Sequence, residues 1–306
     1  MGHTFSERLK VSLTLKHGDN SHTIAPGNVR AFELELRSWG FEGWIEFLVA
    51  DKAPSGGQHK DELLADFLKP DLAQVSLVVE RVLADSADST ITTLQLEGLV
   101  SDKSLTELST SGALDSPIFF RRYGVRFMDA ARLLWRQHFP CELYTHKTLQ
   151  EIIEAHKGEH IRLAYDWSDE LSPTRPQFFV GLNPEQGSSF YDFLLWFVSG
   201  RGGVFAYDYV GKQYKLSAEK DASAEPITLH RDEVSALEVL FPEVIRHEVT
   251  VLNSWAEGPA SEPVQQPQAV AGVRQDVLLR TPISDEAQAR VQREQKRLWP
   301  ASASWR

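Results

Sequence analysis

The string His156-Lys157-Gly158-Glu159-His160 combines residue types that could do chemistry. Its H-x-x-E-H order matches the inverted zinc-peptidase pattern, in which two histidines on one helical face hold the metal and the glutamate works on metal-bound water. Gly158 lies inside that spacing, where a helix starting at Thr148 should end and a strand over Ile161–Asp166 should begin. The two imidazoles should then point in unrelated directions, and the string reads as a polar helix-to-strand loop.

Gly200-Arg201-Gly202-Gly203 has the composition of a phosphate loop, but the order is reversed. A dinucleotide site needs strand, glycines and then helix, so that the helix N-terminus faces the phosphate. Here the helix comes first, and the glycines read as its C-cap and a tight turn. Phe119 to Arg126 (FFRRYGVR) interleaves aromatics with Arg121, Arg122 and Arg126, as single-strand binders do. In strand geometry both faces carry an aromatic and a cation, which suits a strand packed between two neighbours. Asp166, Asp169 and Glu170 cluster around Trp167, yet glycosidase carboxylates must converge across a cleft rather than follow one another along a loop. No G-x-S-x-G occurs, and nothing local would activate Cys141. The sequence therefore assigns no catalytic, cofactor-binding or metal-ligating residue, needs no cofactor, and reads as a non-enzyme.

The elements that would position these residues change period along the chain. Up to about residue 127, apolar and polar residues alternate: Phe32, Leu34 and Leu36 against Glu33 and Glu35, then Val75, Leu77 and Val79 against Ser76 and Glu80. Strands are expected over Ala31–Trp39, Trp44–Val49, Gln74–Leu83, Thr90–Val100 and Ile118–Phe127. Gly40 and Gly43 should flank a turn, and a helical turn is expected over Asp61–Phe67. That count of short antiparallel strands suggests a barrel or sandwich. At Met128 the period becomes helical through Trp135 and His138 until Pro140. A second helix starts at a Thr148/Glu151 capping box, and a strongly apolar third is capped by Ser188 or Ser189. Strands Ile161–Asp166 and Gln177–Leu182 flank a loop over Ser172–Pro176, and Val204–Tyr209 and Tyr214–Ser217 form a hairpin. Further strands are expected over Glu233–Phe241, Val244–Leu252 and Val277–Thr281, with an exposed mobile loop over 256–272 and a charged helix from Ser284 to Trp299. The fold class is β-rich α+β. Two small antiparallel barrel-like modules, 1–126 and 231–306 (the latter incomplete), flank an α+β middle domain, 127–230.

Composition narrows the function. The chain has 306 residues and 32 Lys+Arg against 43 Asp+Glu, a formal charge of −11. Such an excess argues against wholesale binding of nucleic acid or anionic membrane. A single cysteine excludes an internal disulfide framework and Cys-rich metal sites. No apolar run reaches the roughly 18–20 residues of a membrane span. The first ten residues lack a signal-peptide core, so synthesis in the cytoplasm is expected.

The order of elements resembles the central hub proteins of contractile phage baseplates and the hub portion of the type VI secretion spike protein VgrG. Arg122-Tyr123-Gly124-Val125-Arg126-Phe127 leading into Asp129–Trp135 is similar to that family's strand-and-helix step, and Thr148–Ile153 (TLQEII) to its short helix. Phe190–Phe197 (FYDFLLWF) followed by Gly203–Tyr209 (GVFAYDY) is similar to its helix, glycine and aromatic strand. The resemblance implies a structural homotrimer that acts as a symmetry adaptor between a six-fold tail tube and a three-fold spike. Its implied partners are an Hcp-like tube protein, a spike protein with an OB-fold and needle, and other baseplate proteins. It would act within a virion or injection-machine baseplate delivered outside the cell. An OB-fold and needle do not fit within these 306 residues, so a separate spike protein, a short form and a truncated sequence all stay open. Two other classes make different demands: a hydrolase would need His156 or His160, and a nucleic-acid-binding module would need Arg121, Arg122 and Arg126.

Overall fold

The computed structural model describes residues 7–51, 61–83, 93–110, 118–201, 203–218, 237–240, 245–253, 260–263, 269–279 and 302–305. The chain divides into two compact units, Met1–Leu195 with Phe205–Leu216, and Trp196–Val204 with Ser217–Arg306.

Period-two alternation builds the main sheet of the first unit. Its strands are β1 (Glu7–His17), β2 (Asn20–Ile24), β3 (Val29–Arg37), β4 (Gly40–Asp51), β5 (Ala73–Leu83), β6 (Thr93–Thr110) and β7 (Ile118–Met128), in the order β2-β1-β5-β6-β7-β4-β3. Every ladder is antiparallel, and the sheet is open, with β2 and β3 at its edges. Inward residues from successive strands make one apolar core, including Leu13, Leu15, Phe41, Ile45, Phe47, Leu77, Leu96, Tyr123 and Phe127. Each such side chain taken from water contributes roughly 1.5–3 kcal/mol, which is what fixes the register of the sheet. Short helix α1 (Leu63–Phe67) docks on this core through Phe67, whose ring meets Tyr123 edge-on at 4.8 Å while Tyr123 stacks on Phe47 at 5.2 Å.

Three details depart from expectation. The β1–β2 hairpin lies outside the expected strands, although Val11, Leu13 and Leu15 alternate ahead of Gly18-Asp19. The turn between β3 and β4 is Ser38-Trp39, and Gly43 lies within β4. Gly43 is there for space: a Cβ would meet the Phe127 ring at 2.5 Å and Leu34 at 2.7 Å. Strand β6 runs ten residues past Val100, through a bulge between Val100 and Asp102.

The rest of the first unit holds α2 (Ala130–Trp135), β8 (Cys141–Thr148), α3 (Leu149–Lys157), β9 (Leu163–Asp166), α4 (Ser168–Leu171), β10 (Thr174–Gly181) and the start of α5 (Phe190–Gly200). The hairpin β11 (Val204–Asp208) and β12 (Gln213–Ser217) follows α5, and β12 pairs with β9. Strands β8 and β10 form a separate two-stranded ribbon. Pro176, expected in a loop, lies within β10, a strand of a two-stranded ribbon whose ladder pairs pass from Arg175 to Gln177, and such edge strands are where a sheet tolerates proline. Trp135, Leu149, Ile152, Ile153, Phe190 and Leu194 are buried here.

In the second unit β13 (Leu237–Leu240) pairs antiparallel with β17 (Ser302–Trp305). Strand β14 (Ile245–Asn253) lies antiparallel to β15 (Ala260–Pro263) and parallel to β16 (Ala269–Leu279). The expected mobile loop over 256–272 is corrected by β15 and the start of β16: backbone pairing to β14 stabilises a Pro- and Gln-rich stretch that side-chain composition marks as loop. The expected helix Ser284–Trp299 lies outside the described residues.

Candidate functional site

The capping box that starts α3 is present: Glu151 N–H donates to Thr148 Oγ1 at 3.1 Å and Thr148 N–H to Glu151 Oε2 at 2.8 Å. Gly158 ends the helix at φ 69°. This geometry separates the two histidines of the H-x-x-E-H string. His156, in the last turn, bonds His138 at 2.8 Å and Tyr144 at 2.5 Å. His160 lies 3.3 Å from Glu159 and lines a polar cleft. Among the described residues no three His, Cys, Asp or Glu side chains are grouped to hold a metal.

The glycine segment after α5 caps it, with Gly203 N–H donating to Val198 O at 3.0 Å and Arg201 N–H to Phe197 O at 3.1 Å. Strand β7 is interior, between β6 and β4. Tyr123, Val125 and Phe127 enter the core, Arg122 and Arg126 face outward, and Arg121 is taken up by Glu107 at 2.9 Å and Asp61 at 3.2 Å. The acids around Trp167 find separate partners: Asp166 lies 3.2 Å from Lys215 and Glu170 3.5 Å from Arg175. Cys141 is exposed at the start of β8.

Two buried carboxylates that the sequence did not single out organise the first unit. Asp61 accepts from Leu63 N–H at 3.1 Å, from Arg121 at 3.2 Å and from the Tyr123 hydroxyl, tying α1 to β7. Asp129 caps α2 by accepting from Arg132 N–H at 2.8 Å. It also accepts from Phe41 N–H at 3.2 Å and from the Tyr214 hydroxyl, joining β4, α2 and β12. Burial pushes the Asp129 carboxyl up from its ordinary value, and the bonds from Tyr214, Arg132 and Phe41 pull it part of the way back. Burial and the neighbouring Asp129 charge push the Tyr214 hydroxyl far up, so it stays a donor. Gly40, at φ 137°, touches this knot: a Cβ there would run into the Asp129 carboxylate. Tyr209 closes the same turn, its hydroxyl 2.6 Å from Gly40 O and 2.7 Å from Arg37 O while accepting from Arg37 N–H at 3.0 Å. An aspartate immediately before a helical stretch is the N-cap signal that could have found Asp129.

The cleft, about 380 Å³, lies between the outer face of β1, β5 and β6 and the segments around 159–162 and 207–214. Its charges are largely matched, with Glu97 between Lys212 at 2.7 Å and Arg162 at 3.8 Å. Exposed apolar side chains include Leu143 and Phe179, cross-strand partners on the β8–β10 ribbon. Among the described residues no helix is long and apolar enough to cross a membrane.

No protein-family model and no curated protein sequence matches the chain. Solved structures do. A chain of the half-lidded Francisella PdpA-VgrG complex superposes with a TM-score of 0.61 at 14% identity, over 91% of this chain and 45% of that one. The lidless form gives 0.60 at 14% identity, over 92% and 51%. The 43 kDa tail protein of prophage MuSo2 from Shewanella oneidensis gives 0.48 at 14% identity, over 94% and 78%. This chain spans about half the length of the PdpA-VgrG complex chains it matches. What these comparisons define is a fold, β-rich α+β, shared with the matched chains of the PdpA-VgrG complex.

Proposed function

We propose that the chain is a structural hub of a contractile injection machine, whether phage baseplate, type VI or related system. It acts as a trimer that adapts a six-fold tail tube to a three-fold spike. The observation that carries this reading is the superposition over 91% of the chain on a chain of the PdpA-VgrG complex. The domain plan that goes with it is a ring domain over 1–126, a middle domain over 127–230 and a second β-module over 231–306. Three copies would then offer six near-equivalent surfaces to the tube. The role is mechanical, and no residue is assigned to catalysis, cofactor or metal.

The partners are an Hcp-like tube protein on one side, a spike protein on the other, and further baseplate proteins. The chain is made in the bacterial cytoplasm and works within the assembled particle. The acidic balance of −11 should meet complementary surfaces on those partners. The hydrolase alternative loses support because His156 is engaged by His138 and Tyr144. The nucleic-acid alternative loses it because Arg121 is committed to Asp61 and Glu107.

Co-expression with an Hcp-like tube protein and a spike protein from the same source, followed by electron microscopy, tests the proposal. The expected particle is a three-fold ring with six similar lobes facing the tube. A chain that associates with neither protein contradicts it.

A further inference from the structure

A line of four polar side chains runs beneath the β8–β10 ribbon. His138 Nε2 and His156 Nδ1 lie 2.8 Å apart, His156 Nε2 lies 2.5 Å from the Tyr144 hydroxyl, and that hydroxyl lies 2.7 Å from Glu142 Oε2. Only one arrangement of protons satisfies every link with both rings neutral. Tyr144 O–H donates to the Glu142 carboxylate, which can only accept. His156 Nε2–H therefore donates to Tyr144, which leaves His156 Nδ1 as the acceptor for His138 Nε2–H. A first added proton can be shared, His156 Nδ1–H donating to His138 Nε2 once His138 carries its own proton on Nδ1, but a second proton sets two N–H groups against each other at 2.8 Å.

We infer that the chain His138–His156–Tyr144–Glu142 is a pH-sensitive latch that holds the β8–β10 ribbon to α3 at neutral pH and releases it in mild acid. The ribbon belongs to no larger sheet among the described residues, so its attachment depends on side-chain contacts such as these, on buried Val180 and on the Phe178 ring, 6.1 Å from Phe193 of α5. The surroundings give a second charge little help. Strand β8 contributes Glu142 and Tyr144, α3 contributes His156, and the segment after α2 contributes His138. Helix α5 offers the Phe190 ring, 4.8 Å from His156 and 5.7 Å from His138, while its Asp192 is turned to the Ser189 cap. Trp135 Nε1–H donates to His156 O at 2.8 Å, so α2 supplies no counter-charge to the ring. Burial lowers both histidines from their ordinary value, the His138 charge lowers His156 further, and the Glu142 charge offsets part of the shift on each ring. The Tyr144 hydroxyl is pushed up, chiefly by burial and then by Glu142, and remains the donor.

The sign follows. A histidine whose folded value is lowered costs nothing above about pH 6.5 and disfavours the closed state as pH falls below it, by up to about tenfold per pH unit for each ring. The inference stands apart from the hub proposal and does not need it. Hydrogen exchange of the full chain, corrected for intrinsic rates, should show opening of the β8 and β10 amides rising tenfold or more from pH 7.5 to 5.5. Amides of the β4–β7 ladder should change much less. In the variants His138→Gln and His156→Gln the extra rise should disappear. A rise of equal size in the variants, or ribbon and ladder amides opening in parallel, overturns the latch. If the variants do not fold, the wild-type ring protons decide by NMR titration: midpoints below 6.5 support it, and independent midpoints at the ordinary value overturn it.

Discussion

Asp61 and Asp129 solve the same problem with different means. Each is buried, accepts a tyrosine hydroxyl, and ties a short helix to the main sheet through a backbone N–H. Asp61 has a cation in reach, Arg121 at 3.2 Å, which Glu107 also holds. Asp129 has three donors, Arg132 N–H, Phe41 N–H and the Tyr214 hydroxyl, while the Arg132 guanidinium turns to Glu42 at 3.1 Å. The difference teaches that a buried carboxylate without an adjacent ion pair must be surrounded by donors from several elements. Such a residue becomes a node rather than a single tie.

Removing the node should therefore cost more than removing the tie. Asp129→Ala leaves three donors without an acceptor and should lower stability by about 3–5 kcal/mol in urea unfolding. Asp61→Ala leaves Arg121 with Glu107 and should cost about 2–3 kcal/mol. Equal losses would break the comparison. Gly40→Ala, beside Asp129, should cost about 1–3 kcal/mol through its positive φ and the collision with the carboxylate. Gly18→Ala, at φ 56° in the left-handed region that L residues tolerate better and with open space around it, should cost less.

The pH dependence sharpens the same contrast. The Asp129 carboxyl is raised, so its contribution is present in acid and is lost as pH rises from the ordinary carboxyl value, about 3.8, through the raised one. Asp129→Asn should flatten that limb of the stability curve, read as urea midpoints from pH 4 to 7. On the other side, His17 is buried with neither ring nitrogen hydrogen-bonded among the described residues, and burial lowers its value. It penalises folding as pH falls below about 6.5, and His17→Gln should flatten the acid limb. The smallest effect is expected at the α3 cap, where Thr148→Ala should cost about 1 kcal/mol.

What the sequence made legible depended on whether a residue's neighbours in the chain are also its neighbours in space. Strand β5 could be read from Val75, Leu77 and Val79 because a half-buried strand writes its environment at every second position. The α3 cap is local, and Thr148 and Glu151 announce it. The second half of β6 was hidden because a bulge shifts its period and because Lys103, on the core-facing side, sits 5.6 Å from the Phe67 ring with its Nζ donating to Lys69 O. Strands β15 and β16 were hidden because pairing to β14, not composition, defines them. The Asp129 node and the His138–His156 contact join residues 85 and 18 positions apart, and no spacing rule reaches them. The H-x-x-E-H string shows the converse: local spacing proposed a site that one glycine takes apart.

The central claim is assembly into a trimeric hub. Light scattering of the purified chain, alone and mixed with the proposed tube and spike proteins, tests it most directly. The account predicts a particle of three 34.5 kDa chains, alone or on mixing. A stable single chain that gains no mass with either partner would contradict it.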